Sequence, residues 1–231
     1  MPLNALLFII LPAMMLGVLL YARIDIVYRK YTQMSARRGV TAADLARGML
    51  DRGGATAVEI AKADARALTD YYDARTQTLV LSEPIHQGYS ITAIGTAAHK
   101  AGQALQHADA YGLQRFRTAL LPVFAVIANA SVPLAVAGWL LSLDVPAYVG
   151  MALYALAVLF HVVTLPAELN ASARALNALE VGGGLTREEV PLAKKVLRAA
   201  ATASLAAALM TCLYGLRQLI SLLRGRPKNQ R

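Results

Sequence analysis

The sequence has a single cysteine, Cys212, which excludes an intrachain disulfide framework and any multi-cysteine zinc ribbon. Charge is scarce. Only 16% of residues are Asp, Glu, Lys or Arg, against about 25% in average soluble domains. The one glycine run, Gly182-Gly183-Gly184, lacks the Lys-Ser/Thr pair of a phosphate-binding loop and reads as a plain connection. Four histidines, His86, His99, His107 and His161, bound any histidine-based metal site. What the chain does have is apolar: 57% hydrophobic residues over 231 positions and a mean hydropathy of +0.46. That composition excludes disorder and argues against an ordinary soluble enzyme.

Four charge-free apolar stretches organise the chain, at 1–22, 118–143, 145–167 and 199–216, the last continuing past Arg217 to 223. A helix needs roughly 20 apolar residues to cross a bilayer, so about four transmembrane helices are expected. The first stretch has no basic n-region, and Tyr21-Ala22-Arg23 is a poor cleavage site, so it reads as a retained anchor rather than a signal peptide. Between the spans lie polar regions at 23–117 and 168–198, and a basic tail occupies 224–231. Basic residues cluster beside the first span (Arg23, Arg29, Lys30, Arg37, Arg38) and in the second region (Arg174, Arg187, Lys194, Lys195, Arg198). By the positive-inside rule both regions face the cytoplasm, which leaves the basic tail on the opposite side against the rule. The net charge of +9 is thereby assigned to membrane orientation and lipid headgroups. No nucleic-acid-binding motif accompanies it.

Within 23–117, Thr41 followed by Asp44 marks a helix start, and Gly53-Gly54 marks its end. Residues 78–82 (TLVLS) read as a short strand after a turn near Asp73. A long helix is expected to open at Tyr89 or Ser90 and to run to about Ala110. Its many small residues (Ala97, Ala98, Ala101, Gly102, Ala104) permit close approach by neighbours. Beyond the glycine run, Thr186 is placed to cap a helix with Glu188 and Glu189 in its first turn. The expected fold class is thus a mainly α integral membrane protein with a small α+β cytoplasmic domain.

The long helix carries His99-Lys100-Ala101-Gly102-Gln103 and, further on, His107. In the H-E-x-x-H pattern two histidines at i and i+4 share a helix face and bind zinc, and the Glu is the general base. Here the first His is present, the Glu position holds Lys100, and the second His position holds Gln103. Together with the N-terminal anchor, Arg38-Gly-Val-Thr-Ala-Ala-Asp44, Leu68-Thr-Asp-Tyr-Tyr-Asp73, Leu79-Val-Leu-Ser82, 97–107, Thr164-Leu-Pro-Ala-Glu-Leu-Asn-Ala-Ser172 and Lys195-Val-Leu-Arg-Ala-Ala200, this frame resembles the YugP-like membrane zinc metallopeptidases of bacteria. The resemblance covers nearly the whole chain. It implies a bacterial inner-membrane protein with a zincin-like cytoplasmic domain.

The resemblance also implies that the site consists of His99, the positions of Lys100 and Gln103, and Glu168 as third zinc ligand. Departures fall on the chemistry. The base is Lys100, one ligand is Gln103, the Asp after the Glu is Asn170, and a His of the D-H-Y-D segment is Tyr71. A catalytic zinc takes three protein ligands and keeps one open position. Gln is a poor ligand, and a protonated lysine repels a dication and cannot accept a proton from water. The expectation is a degenerate member without catalytic residues, metal or cofactor. His99, Lys100, Gln103 and Glu168 form its vestigial site, and His161 and Asn170 supply secondary polar contacts. Glu168 then needs another cation, and a Lys100–Glu168 ion pair is expected. The functional expectation is a protein-binding, regulatory or assembly subunit, with a protein partner or as a homo- or hetero-oligomer, in contact with lipid. Two rival readings remain: an active zinc peptidase recruiting His161 or His107, and a purely structural subunit of a larger complex. His107 lies about 12 Å from His99 along the helix, too far to share one ion.

Overall fold

The computed structural model describes residues 2–64, 69–182 and 184–224, with side chains from 11 to 210 within those ranges. The expectations for Cys212, Arg217 and the tail beyond Arg224 lie outside the described side chains. Seven helices and three strands follow in order: α1 (Pro2–Thr32), α2 (Ala42–Arg52), β1 (Glu59–Lys62), β2 (Tyr71–Asp73), β3 (Thr78–Leu81), α3 (Glu83–His86), α4 (Ile91–Ala108), α5 (Gly112–Leu140), α6 (Asp144–Gly182) and α7 (Val190–Arg224). Among the described residues three helices are long and apolar enough to cross a membrane: Leu11–Thr32, Gly112–Leu140 and Asp144–Gly182. The helices outrun the apolar stretches. α1 continues past residue 22 to Thr32, α5 begins at Gly112 rather than 118, and α6 continues past 167 to Gly182. Charge ends an apolar run, but it does not end a helix, because Arg, Lys and Glu are good helix formers.

The chain divides into two compact units. One comprises residues 1–21, 120–163 and 204–231. Here α5 and α6 cross so closely that a Cβ at Gly150 would run into the backbone of Ala135 and Ser131. Phe124 stacks on Phe160 at 4.1 Å, and the Tyr154 hydroxyl donates to the Leu209 carbonyl at 2.9 Å. Large apolar side chains such as Val126 and Val145 point outward, 68% and 73% exposed, as a lipid-facing surface requires.

The other unit comprises residues 22–119 and 164–203. Its start and stop signals behave as their chemistry dictates. Thr41 Oγ1 accepts from the Asp44 N–H at 3.1 Å, and Ser90 Oγ accepts from the Ala93 N–H at 3.1 Å, capping α2 and α4. Gly53 closes α2, while the left-handed position is Gly54 at φ +75°. The sheet order is β1-β3-β2, with β3 parallel to β1 and antiparallel to β2. Leu79 and Leu81 of β3 are fully buried on one face. The flanking strands, four and three residues long, are too short to show a period-2 pattern in the sequence.

Small residues on α4 work as expected. A Cβ at Gly102 would strike the Ala171 carbonyl of α6, and one at Gly95 would strike Val196 of α7. α4 is therefore clamped between two long helices, and only residues without bulk fit that seam.

The start of α7 departs from the expected cap. Thr186 Oγ1 has no hydrogen-bond partner among the described residues. Instead the Glu189 carboxylate accepts the Thr186 and Arg37 backbone N–H groups, each at 2.8 Å. This ties the segment after α1 to the beginning of α7. Burial opposes ionisation of Glu189, but the N–H groups of Thr186 and Arg37 outweigh it and hold its pKa below the ordinary glutamate value of 4.5. A carboxyl whose folded pKa is depressed stabilises above its unfolded pKa and loses that contribution as pH falls through the folded one. Glu189→Gln should therefore destabilise the protein by about 1–3 kcal/mol at pH 7. In chemical unfolding at stepped pH, the gap to wild type should narrow as pH falls below about 4.5, from the direction of that shift.

Candidate functional site

The i, i+4 spacing of His99 and Gln103 puts both on the face of α4 that meets α6. On α6, Glu168 and Ser172 are likewise one turn apart and face back. All four side chains are buried, with Glu168 only 3% exposed. His99 Nε2 lies 3.1 Å from Glu168 Oε2, and Gln103 Nε2 donates to the same oxygen at 2.8 Å. His99, Gln103 and Glu168 thus assemble as their sequence frame implies.

The cation on Glu168 is Arg117. Its Nη2 lies 2.5 Å from Glu168 Oε1, with the arginine side chain 14% exposed. The expected Lys100–Glu168 ion pair is absent: Lys100 makes no ion pair within 4 Å among the described residues. Its pKa is lowered chiefly by burial, with Glu168 opposing that shift at longer range. Adjacent helical residues point about 100° apart, so Lys100 cannot share the face of His99 and Gln103. Arg117, near the start of α5, reaches in with its long stem from a different element.

The other sequence-assigned residues sit outside this cluster. Asn170 Oδ1 accepts from Gln106 Nε2 at 2.8 Å and from Arg174 Nε at 2.9 Å, locking α4 to α6 one turn further along. His161 Nδ1 donates to the Ala157 carbonyl of its own helix at 2.9 Å. His107 Nδ1 lies 2.8 Å from the Tyr72 hydroxyl, and His86 ends α3. Arg117 and Ser172 were missed as site residues. Their signals were available: an arginine at the rim of an apolar run, and a serine one turn from the key glutamate.

Burial pulls the His99 pKa below its ordinary value, against the attraction of Glu168. Nδ1 lies 2.9 Å from Ser172 Oγ, and that hydroxyl donates its one proton to the Leu197 carbonyl at 2.8 Å.

A zinc ion does not fit this donor set. Among the described residues no group of three His, Cys, Asp or Glu side chains is placed to share an ion. Glu168 gives one oxygen to Arg117 and the other to Gln103 and His99. Gln103 turns its N–H toward that oxygen, since two oxygens would repel. A positive side chain, Arg117, already pairs with the carboxylate.

Removing one partner of a buried pair strands the other charge, at about 3–5 kcal/mol. Arg117→Met should cost about 3 kcal/mol, the low end of that range, because Lys100 stays near. Adding Glu168→Gln should recover most of the loss. Urea unfolding of detergent-solubilised single and double variants reads both values, and additive losses would refute the pairing.

Comparison with known proteins agrees with this frame. Residues 6–224 match the family model described as "Putative neutral zinc metallopeptidase". The chain is 36% identical over 225 residues to "Putative membrane protease YugP" of Bacillus subtilis (strain 168), covering 96% of this chain and 100% of that protein. No solved structure matches. The chain belongs to the YugP-like family of membrane zinc-metallopeptidase-like proteins.

Proposed function

We propose that this protein is a non-catalytic member of its family, a membrane-embedded scaffold that binds a protein partner as a regulatory or assembly subunit. The observation that carries the reading is the Arg117–Glu168–Gln103 arrangement. The third ligand of the resembled zinc site is spent on a guanidinium, and the second ligand position offers it an N–H. Lys100 in the base position adds an independent departure, since it offers no carboxylate to accept the proton of a metal-bound water. The retained fold, with α4 clamped by Gly102 and Gly95, gives a rigid surface for recognition.

The same reading places the protein in the bacterial inner membrane with four spans, α7 supplying the fourth, and with the polar regions in the cytoplasm. Both polar regions belong to one compact unit, as two regions on the same side of a membrane would. Their basic residues orient that unit inward.

Metal analysis of the purified protein in detergent tests the reading. Wild type should carry less than about a tenth of a zinc per chain at a zinc level that saturates catalytic sites, because only two of the three ligands a catalytic zinc takes are present. Lys100→Glu combined with Gln103→His supplies the missing base and ligand and should raise occupancy toward one. Near-stoichiometric zinc in wild type, with peptide hydrolysis lost in His99→Ala, would establish an active peptidase instead.

A further inference from the structure

Away from that cluster, the ends of α2, α4 and α6 enclose a cavity of about 260 Å³ lined by Met49, Arg52, Leu105, Asp109, Arg174, Asn177 and their neighbours. Its floor is apolar: Met49 is fully buried and Leu105 is 8% exposed. Its rim is charged. Arg174 is committed, since it pairs with Asp109, donates to Asn170 and lies over the Tyr111 ring at 5.9 Å. Arg52 is not: its guanidinium makes no hydrogen bond or ion pair to any described residue. It runs between Gly48 and Gly182, where a Cβ at Gly182 would collide with its Nη2. The Asn177 amide is also without a hydrogen-bond partner among the described residues.

We propose that this cavity is a binding pocket for a small organic monocarboxylate with an apolar body. The planar guanidinium of Arg52 presents the fork that takes both oxygens of a carboxylate. Asn177 supplies a further N–H, and Leu105, Ala178 and Val181 receive the apolar part, over the buried Met49. The charges choose a monoanion: Arg52 and Arg174 against Asp109 leave one net positive charge, and the Asp109 carboxylate repels a phosphate dianion. The volume lies just under the roughly 300–1,000 Å³ of pockets for drug-sized ligands, so the body is about one amino-acid side chain. The carboxylate could belong to a free acid or end a peptide, since both offer the same group.

Calorimetric titration of the full-length protein in detergent uses N-acetyl-leucine, its neutral amide, a pentapeptide ending in leucine, and inorganic phosphate. N-acetyl-leucine should bind saturably and at least tenfold tighter than the amide. Phosphate should not displace it. Arg52→Gln should weaken binding at least tenfold, and Ala178→Phe, which fills the cavity wall, should abolish it with unfolding unchanged. Equal binding of acid and amide, displacement by phosphate, an unaffected Arg52→Gln variant or absence of saturable binding would each overturn the assignment. Tighter binding of the pentapeptide than of N-acetyl-leucine would reject a free acid and make a polypeptide C-terminus the ligand.

Discussion

A carboxylate held out of water in a helix seam must find positive charge or donors, and Glu168 finds both. Arg117 takes one oxygen, and Gln103 and His99 take the other. An isolated buried charge is costly, and breaking a buried pair costs more than forming it gains. The constraint therefore reaches outward. It dictates that α5 deliver an arginine at its first turns, that α4 present donors one turn apart, and that α6 run unbroken through the apolar stretch into the polar unit. In the resembled zinc site a dication would neutralise the same carboxylate. Here a guanidinium does so, and it fixes geometry without offering an open coordination position.

The seam itself is held by a frame of close contacts and hydrogen bonds. Gly102 lets α4 touch the Ala171 backbone, and Gln106 bridges to the Ala167 carbonyl and Asn170. Ser172 holds the far side of the His99 ring. These contacts position side chains whatever ion or donor lies between them. Gln103 fills its volume in the seam and hydrogen-bonds to Glu168 through its side-chain N–H.

The two polar regions, far apart in the sequence, form one core in which α2, the sheet and α4 meet the second half of α6 and the start of α7. The Glu189 carboxylate reinforces that joining by accepting backbone N–H groups from both sides. Thr186 and Glu189 have the spacing of a capping box, of which the Glu189 half is made: its carboxylate takes the Thr186 N–H.

Much of this was legible in the sequence by itself. Charge-free length marked four apolar stretches, three of which lie in helices long and apolar enough to cross a membrane among the described residues; Thr41 and Tyr89 or Ser90 marked helix starts, and the i, i+4 spacing placed His99 and Gln103 on one face. These are properties of a few neighbouring residues and of helical geometry. β1 and β2 were not legible, because strands of four and three residues are set by pairing with β3 rather than by their own pattern. The tertiary structure alone decided which cation meets Glu168. Lys100 is next to His99 in the chain, but on a helix adjacent side chains diverge. Arg117 belongs to another helix, and only the packing of α5 beside α6 makes the two neighbours.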